Sequence, residues 1–242
     1  MRRLIIMMLC GLANLCAMAQ IEPYITPTAT ITLPNETKEL QTGDSYSGSA
    51  PLTVTFKANP YDDDGWNAYY EWRFYKEGEE DNPYLLRYEQ DTEVTFTTAG
   101  AHKIVCFATF KNENKTIEYT KEYWSGEVSP ISISISESKL EMPNAFSPND
   151  DKINDVYKAK KGYQSIVEFK ATIFNRWGVK LYEWDDPAGG WDGKYKGKDV
   201  AQGVYFVVVK ARGADGRKFN IRRDVNLLRG YTEGANTNTG EQ

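Results

Sequence analysis

Ile131-Ser132-Ile133-Ser134-Ile135-Ser136 alternates apolar and polar residues without a break. A period of two puts the isoleucines on one face of an extended chain and the serines on the other, so the stretch reads as a half-buried β-strand. The same period recurs upstream. Leu52, Val54, Phe56 and Ala58 form one apolar face; Ala68, Tyr70, Trp72 and Phe74 form the next. Val94 and Phe96 lead into a turn at Ala99-Gly100, and then come Ile104, Cys106, Ala108 and Phe110, followed by Ile117 and Tyr119. No long helical pattern interrupts them. Short strands at this spacing predict a β-sandwich of roughly seven strands over residues 23–137.

The pattern pauses over the short polar stretch Ser136 to Glu141, which reads as a domain boundary, and then restarts. Val167, Phe169, Ala171 and Ile173 mark one strand; Val179, Leu181, Tyr182 and Trp184 mark another. Val204 to Val209 is apolar in both phases, as expected of a strand covered on both sides. Phe219, Ile221, Val225 and Leu227 close the series. The fold expected is all-β, two small β-sandwich domains, the second over 139–230. Residues 231–242 have no period and are rich in Gly, Asn, Thr and Glu, the composition of a flexible polar tail.

The N-terminus has a different logic. Arg2 and Arg3 precede an apolar run from Leu4 to Leu15, and Ala17-Met18-Ala19 is a small-x-small site. This predicts a secretory signal over 1–19, cleaved between Ala19 and Gln20. The run is too short to span a bilayer comfortably, so no transmembrane segment is expected in the mature chain. Of 3 cysteines, Cys10 and Cys16 leave with the signal. Cys106 alone cannot close an internal disulfide, so an exported chain must hold together by core burial. Its apolar neighbours predict a buried small hydrophobe rather than a reactive thiol.

The formal charge is −5, and losing Arg2 and Arg3 makes the mature chain more acidic, a poor match to nucleic acid. His102 is the only histidine; beside a turn, it reads as a surface residue, without a second His or reactive Cys to complete a site. Asp62 to Asp64 with Glu71 offer carboxylates for glycoside hydrolysis, but such chemistry needs a deep cleft on a larger scaffold. No enzyme is expected.

Two resemblances refine this. Ala50-Pro51-Leu52-Thr53-Val54-Thr55-Phe56, the turn Asp62-Asp63-Asp64-Gly65, Trp72 on its strand, and Thr97 to Ile104 together resemble a PKD or immunoglobulin-like module over about 45–136. Such modules bind, space or present, with Trp72 as the core anchor. Downstream, Pro143-Asn144-Ala145-Phe146-Ser147-Pro148-Asn149, then Asn175-Arg176-Trp177-Gly178, then Trp191-Asp192-Gly193, then Gly203-Val204-Tyr205 occur in that order before Val225-Asn226-Leu227-Leu228-Arg229. Residues 142–229 resemble the type B C-terminal sorting domain of the type IX secretion system of Bacteroidetes, also called the gliding-motility-associated C-terminal domain. The resemblance implies export via the periplasm to the outer membrane, cell surface or extracellular space. It also implies partners: the type IX translocon and outer-membrane shuttle or anchoring proteins.

The motifs nominate sorting or interaction residues: Asn149, Asp155, Asn175, Arg176, Trp177, Gly178, Trp191, Asp192 and Gly193. As residues, Asn149 and Asp155 suit Asx-turns, Gly178 a positive-φ hairpin, and Arg176, Trp177 and Trp191 an interface. Asn149, Asp151 and Asp155 also have the alternate spacing of an oxygen-ligand loop, which makes them candidate Ca²⁺ ligands. No other cofactor is expected. The function expected is that of a non-catalytic surface protein, an accessory or signalling component of the export pathway acting through protein binding. The alternative is a small adhesin-like cargo whose sorting domain is cleaved near residues 137–142, with Tyr69, Tyr70, Trp72, Tyr75 and the 84–88 region as its binding face.

Overall fold

The computed structural model describes residues 22–126 and 128–230; the expected signal, its Ala19–Gln20 cleavage point and the tail 231–242 lie outside them. The first domain runs through β1 (Tyr24–Ile25), β2 (Thr28–Thr32), β3 (Thr37–Gln41), β4 (Ser45–Gly48), β5 (Leu52–Lys57), β6 (Pro60–Tyr61), β7 (Asn67–Lys76), β8 (Leu85–Arg87), β9 (Asp91–Phe96), β10 (Gly100–Lys111), β11 (Thr116–Tyr119), the short helix α1 (Lys121–Ser125) and β12 (Ile131–Ile135). One sheet has the order β3-β2-β5-β9, the other β4-β12-β10-β7-β8 with β11 also on β10. Their inner faces carry the alternation seen in sequence. Val54, Phe56, Trp72, Phe74, Ile104, Cys106 and Phe110 are sealed from solvent, and the Phe56 ring meets Trp72 at 5.6 Å and Phe74 at 5.2 Å. Interdigitated rings of this kind make up most of a small sandwich core.

Two features depart from the sequence reading. β2 and β3 escaped it because Thr-rich TATIT offers only Ala29 and Ile31 as apolar signal, yet both are fully buried by pairing with β5. His102, expected at the surface, is 2% exposed. It sits on the inward phase of β10, opposite Lys76. Its Nε2 lies 2.8 Å from the Thr98 carbonyl and 3.1 Å from Lys76 Nζ, and its Nδ1 2.6 Å from the Tyr84 hydroxyl; a proton on Nε2 serves the closer Thr98 carbonyl, lets Nδ1 accept from Tyr84 and leaves Lys76 to donate to the Ala99 carbonyl at 3.0 Å. Burial holds this imidazole below its usual pKa, with Lys76 adding to the effect against the Thr98 bond.

The second domain is built on β13 (Ala145–Phe146), β14 (Ile166–Phe174), β15 (Lys180–Trp184), β16 (Lys194–Tyr195), β17 (Lys198–Asp199), β18 (Gly203–Gly213) and β19 (Lys218–Leu227). Its main sheet has the order β13-β19-β18-β14-β15, with β16-β17 a separate hairpin. The layer facing this sheet is mostly irregular chain, fastened by the bridge between Tyr157 and Trp191. Tyr157, Trp184, Trp191 and Phe146 fill the space between the layers. The all-β sandwich expectation holds, with one layer regular and the other woven from loops.

The outer face of β18 corrects a second expectation. Tyr205, Val207 and Val209 point inward, but Val204 is 49% and Phe206 44% exposed. The run is apolar in both phases without being covered on both sides, because no second layer lies over that end of the sheet among the described residues.

The stretch between the domains is no open linker. Ser138, Leu140 and Met142 are buried, and Lys139 exchanges backbone hydrogen bonds with Gln164 at 3.0 and 2.9 Å. Asp215 accepts from the Ser138 amide at 3.0 Å and its hydroxyl at 2.7 Å. These bonds, with the Arg217 amide, hold the Asp215 carboxyl down at about 2. Across the junction the Ala99 amide donates to the Ala214 carbonyl at 3.0 Å, the Ala50 amide donates to Ser165 Oγ at 3.1 Å, and Ala214 is packed into the first domain's core.

Candidate functional site

The topology gathers the second domain's motifs at one end. β18 has its Gly213 end at the junction, so its Gly203 end lies about 33 Å away at 3.3 Å per residue. Register places Phe174 beside Phe206, Leu227 beside Gly203 and Phe146 beside Leu227. The hairpin after β14, the loop after β13 and the end of β19 therefore all emerge at this free pole.

The Asn149–Asp155 loop is folded around its own carboxylates. Asp155 accepts the amides of Asn149, Asp150 and Lys152 at 2.9, 2.8 and 2.8 Å. Asp151 accepts the Ile153 amide and the Asn149 side-chain amide, and Asn149 Oδ1 accepts the Asp151 amide. Positive φ at Asp150, Lys152 and Asn154 turns those N–H groups inward. For Asp155 desolvation by itself raises the pKa, and the three amides outweigh it to give a net lowering. The loop thus uses N–H dipoles where a calcium loop uses the ion, and the candidate ligands turn their oxygens onto amides of the loop itself instead of a common centre. The set does not fit an oxygen-ligand cage in this arrangement.

In the next motif Asn175 Oδ1 accepts the amides of Trp177 and Val179, both at 3.0 Å, and Gly178 takes φ +79° to close the hairpin. This lifts Trp177 into solvent at 74% exposure, with the Arg176 guanidinium 4.8 Å over its ring. Trp191 has the opposite fate. It is wholly buried, donates from Nε1 to the Lys194 carbonyl at 2.8 Å and meets Tyr205 at 5.1 Å. The expectation that Trp191 forms part of a recognition surface is therefore corrected: its ring closes the core beneath that surface. Asp192 caps the Lys194 amide at 3.0 Å, and Gly193 at φ +78° sits where a Cβ would press on Pro148, Arg229 and Leu227.

The sequence alone does not set Arg229 apart from the motif that it ends. Its guanidinium donates to the carbonyls of Val200 at 3.1 Å, Pro148 at 3.2 Å and Gly193 at 2.8 Å. One side chain thus pins three loops. Only the fold shows this, because the acceptors lie up to 81 residues away.

Around the clasp, Trp177, Val179, Leu181, Tyr195, Val204 and Phe206 line a hollow of about 560 Å³. An apolar concavity with an aromatic ring, a stacked cation and an uncovered sheet face has the chemistry from which protein contacts are commonly built.

Residues 140–221 match the family model described as the CHU_C type IX secretion signal domain. No curated protein matches the chain. Among solved structures, the FN1–FN3 domains of chicken CNTN1 align over 81% of this chain and 74% of that one, at 10% identity and a TM-score of 0.28. Dimeric latent PorU from Porphyromonas gingivalis aligns over 90% of this chain and 21% of its own, at 14% identity and 0.25. A tetra-tandem repeat from the extending region of a large adhesion protein aligns over 86% and 68%, at 11% and 0.25. Scores this low carry no argument, and the fold class rests on the strands themselves. Most of the motifs lie inside the matched segment, with Val225 to Arg229 just beyond it: residues 140–221 carry a type IX secretion signal domain, a signal that fits a cargo protein exported to the outer membrane, cell surface or extracellular space.

Proposed function

We propose that this is a non-catalytic protein that crosses the periplasm, leaves by the type IX route and then works at the cell surface with its second domain still attached. There it acts as an accessory or signalling component of the pathway through protein–protein binding. The first domain, read as a PKD or immunoglobulin-like module, engages the partner. The free pole of the second docks on the translocon and on outer-membrane shuttle or anchoring proteins.

The junction is the observation that carries retention. Removing the second domain near 137–142 requires a protease to bind that stretch in extended form. Here Ser138, Leu140 and Met142 are buried and Lys139 is tied to Gln164. Cleavage there would first require the two domains to part locally. The absence of catalysis draws support from the two side chains best suited to it. His102 is enclosed with both ring nitrogens engaged, and burial pushes the Cys106 thiol far up, away from the nucleophilic thiolate. Glu71 lies beside Arg73, its carboxylate 3.0 Å from the guanidinium Nε, an ion-pair setting rather than that of a catalytic acid.

Intact-mass spectrometry of the protein from native envelope and medium tests the reading. A species from Gln20 to Gln242 is expected. One ending near Ser138 would move the protein to the adhesin-like cargo reading. Deleting the gene and following export of other cargo separates the roles: unaffected export would remove the accessory role.

A further inference from the structure

The outer face of the first domain holds a cavity that the export signal does not explain. β10 changes partner along one edge. Gly100 to Ile104 pair with β12, and Ala108 to Lys111 pair with β11. In the gap the Cys106 carbonyl is taken by Trp124 Nε1 at 2.9 Å, which pulls α1 across the sheet. Register puts Tyr75 opposite Lys103 and Val105 opposite Arg73, on the face turned away from the core. Tyr75 and Val105 are buried all the same, at 5% and 3%. Between the α1 segment and the sheet lies a space of about 290 Å³ walled by Tyr75, Val105, Phe107, Trp124, Pro130 and Arg73.

Its cations are not equally committed. Lys121 at the mouth is paired with Asp81 at 2.6 Å. The Arg73 guanidinium lies 4.8 Å over the Phe107 ring, with Nε 3.0 Å from Glu71 Oε1 but too poorly aligned for a hydrogen bond. Its two terminal nitrogens make no hydrogen bond to another described residue. A planar fork with unused donors, over apolar and aromatic walls, favours a carboxylate carrying an apolar body. At ~30 Å³ per water-sized group, the space takes roughly ten heavy atoms.

We propose that this cavity binds an amphiphilic carboxylate. The acid takes the Arg73 fork, and an alkyl or aryl body lies between Phe107, Trp124, Val105 and Pro130. Glu80 and Asp81 stand at the mouth, Asp81 paired with Lys121, and the incoming acid competes with Glu71 for Arg73 through the two terminal nitrogens that Glu71 does not reach. Two sources share this chemistry: a free small acid, or a polypeptide C-terminus ending in an apolar residue. The inference stands independently of export.

The test is amide NMR on ¹⁵N-labelled mature chain titrated with N-acetyl-leucine, with its primary amide, and with a short peptide ending in a free leucine carboxylate. N-acetyl-leucine is expected to shift the Trp124 indole N–H and the Val105 and Phe107 amides saturably. The primary amide is expected to bind roughly tenfold more weakly. Arg73→Met, which keeps the stem over Phe107, should lose a similar factor while its Tm shows that it is folded. A peptide binding more tightly than N-acetyl-leucine makes the ligand a chain terminus; equal affinities make it a free acid. Equal binding of acid and primary amide, or no shift of these signals at tens of millimolar acid, would overturn the proposal, and both readouts use the unmutated chain.

Discussion

Trp177 and Trp191 come from motifs of similar look, and the fold gives them opposite work. Trp191 is sealed against Tyr205 and Phe146. Trp191→Ala should cost about 3–5 kcal/mol by the cavity it leaves, read as a lower denaturation midpoint. Trp177 stands in solvent, so Trp177→Ala should change stability by no more than about 0.5 kcal/mol. Its effect belongs to docking. If the free pole is what the exporter reads, the variant should lower surface-located protein roughly tenfold, as loss of an interface anchor does. Normal export of stable Trp177→Ala would show that this ring is not recognised. Asp155 makes a third residue-scale case. Its oxygens already take three amides, so Asp155→Ala should lower the denaturation midpoint. Adding calcium or chelator to the unmodified protein should leave Tm unchanged.

At the scale of elements, the junction turns on a few short bonds. Gly213 lies so close to Ser138 that a Cβ would run into its side chain, and Asp215 caps Ser138 twice. Ser138→Ala removes one of these bonds and Asp215→Ala removes both. Each should speed limited proteolysis at 136–142, Asp215→Ala more. If neither changes the cleavage rate, the junction's protection comes from packing alone. β18 teaches the same lesson from another direction: its alternation was readable, but whether its outer phase would be covered depended on what the rest of the chain places there.

For the whole molecule, acid acts on both domains. His102 has its pKa lowered from 6.5 by burial, so the unfolded chain binds the proton first. Stability from keeping it neutral is therefore present above 6.5 and is lost as pH falls below that value. Asp215 is depressed from 3.8 to about 2, so its contribution is full above 3.8 and disappears as pH falls through about 2. A thermal-denaturation series should show Tm falling in both windows. Replacing His102 with Gln should flatten the upper one, and Asp215→Asn the lower. An unchanged upper window in the His102 variant would assign that titration elsewhere.

Much of this was legible in the sequence, for a physical reason. Period-two burial, Asx-turns and positive-φ glycines are local: the longer strands between Leu52 and Leu227, the Asn175–Gly178 hairpin and the buried Cys106 follow from near neighbours, whereas two- and three-residue strands such as Leu85–Arg87 and Lys194–Tyr195 are too short to show a period. The ordered motifs of the second domain likewise pointed to export before any contact was known. What lay beyond the sequence depends on distant chain. That His102 is enclosed, that Trp191 is beneath the surface while Trp177 is on it, that Arg229 pins three loops, and that Ser138 to Met142 is buried were all settled by tertiary structure. Each depends on which remote residues cover a side chain, and burial is a property of the packed whole.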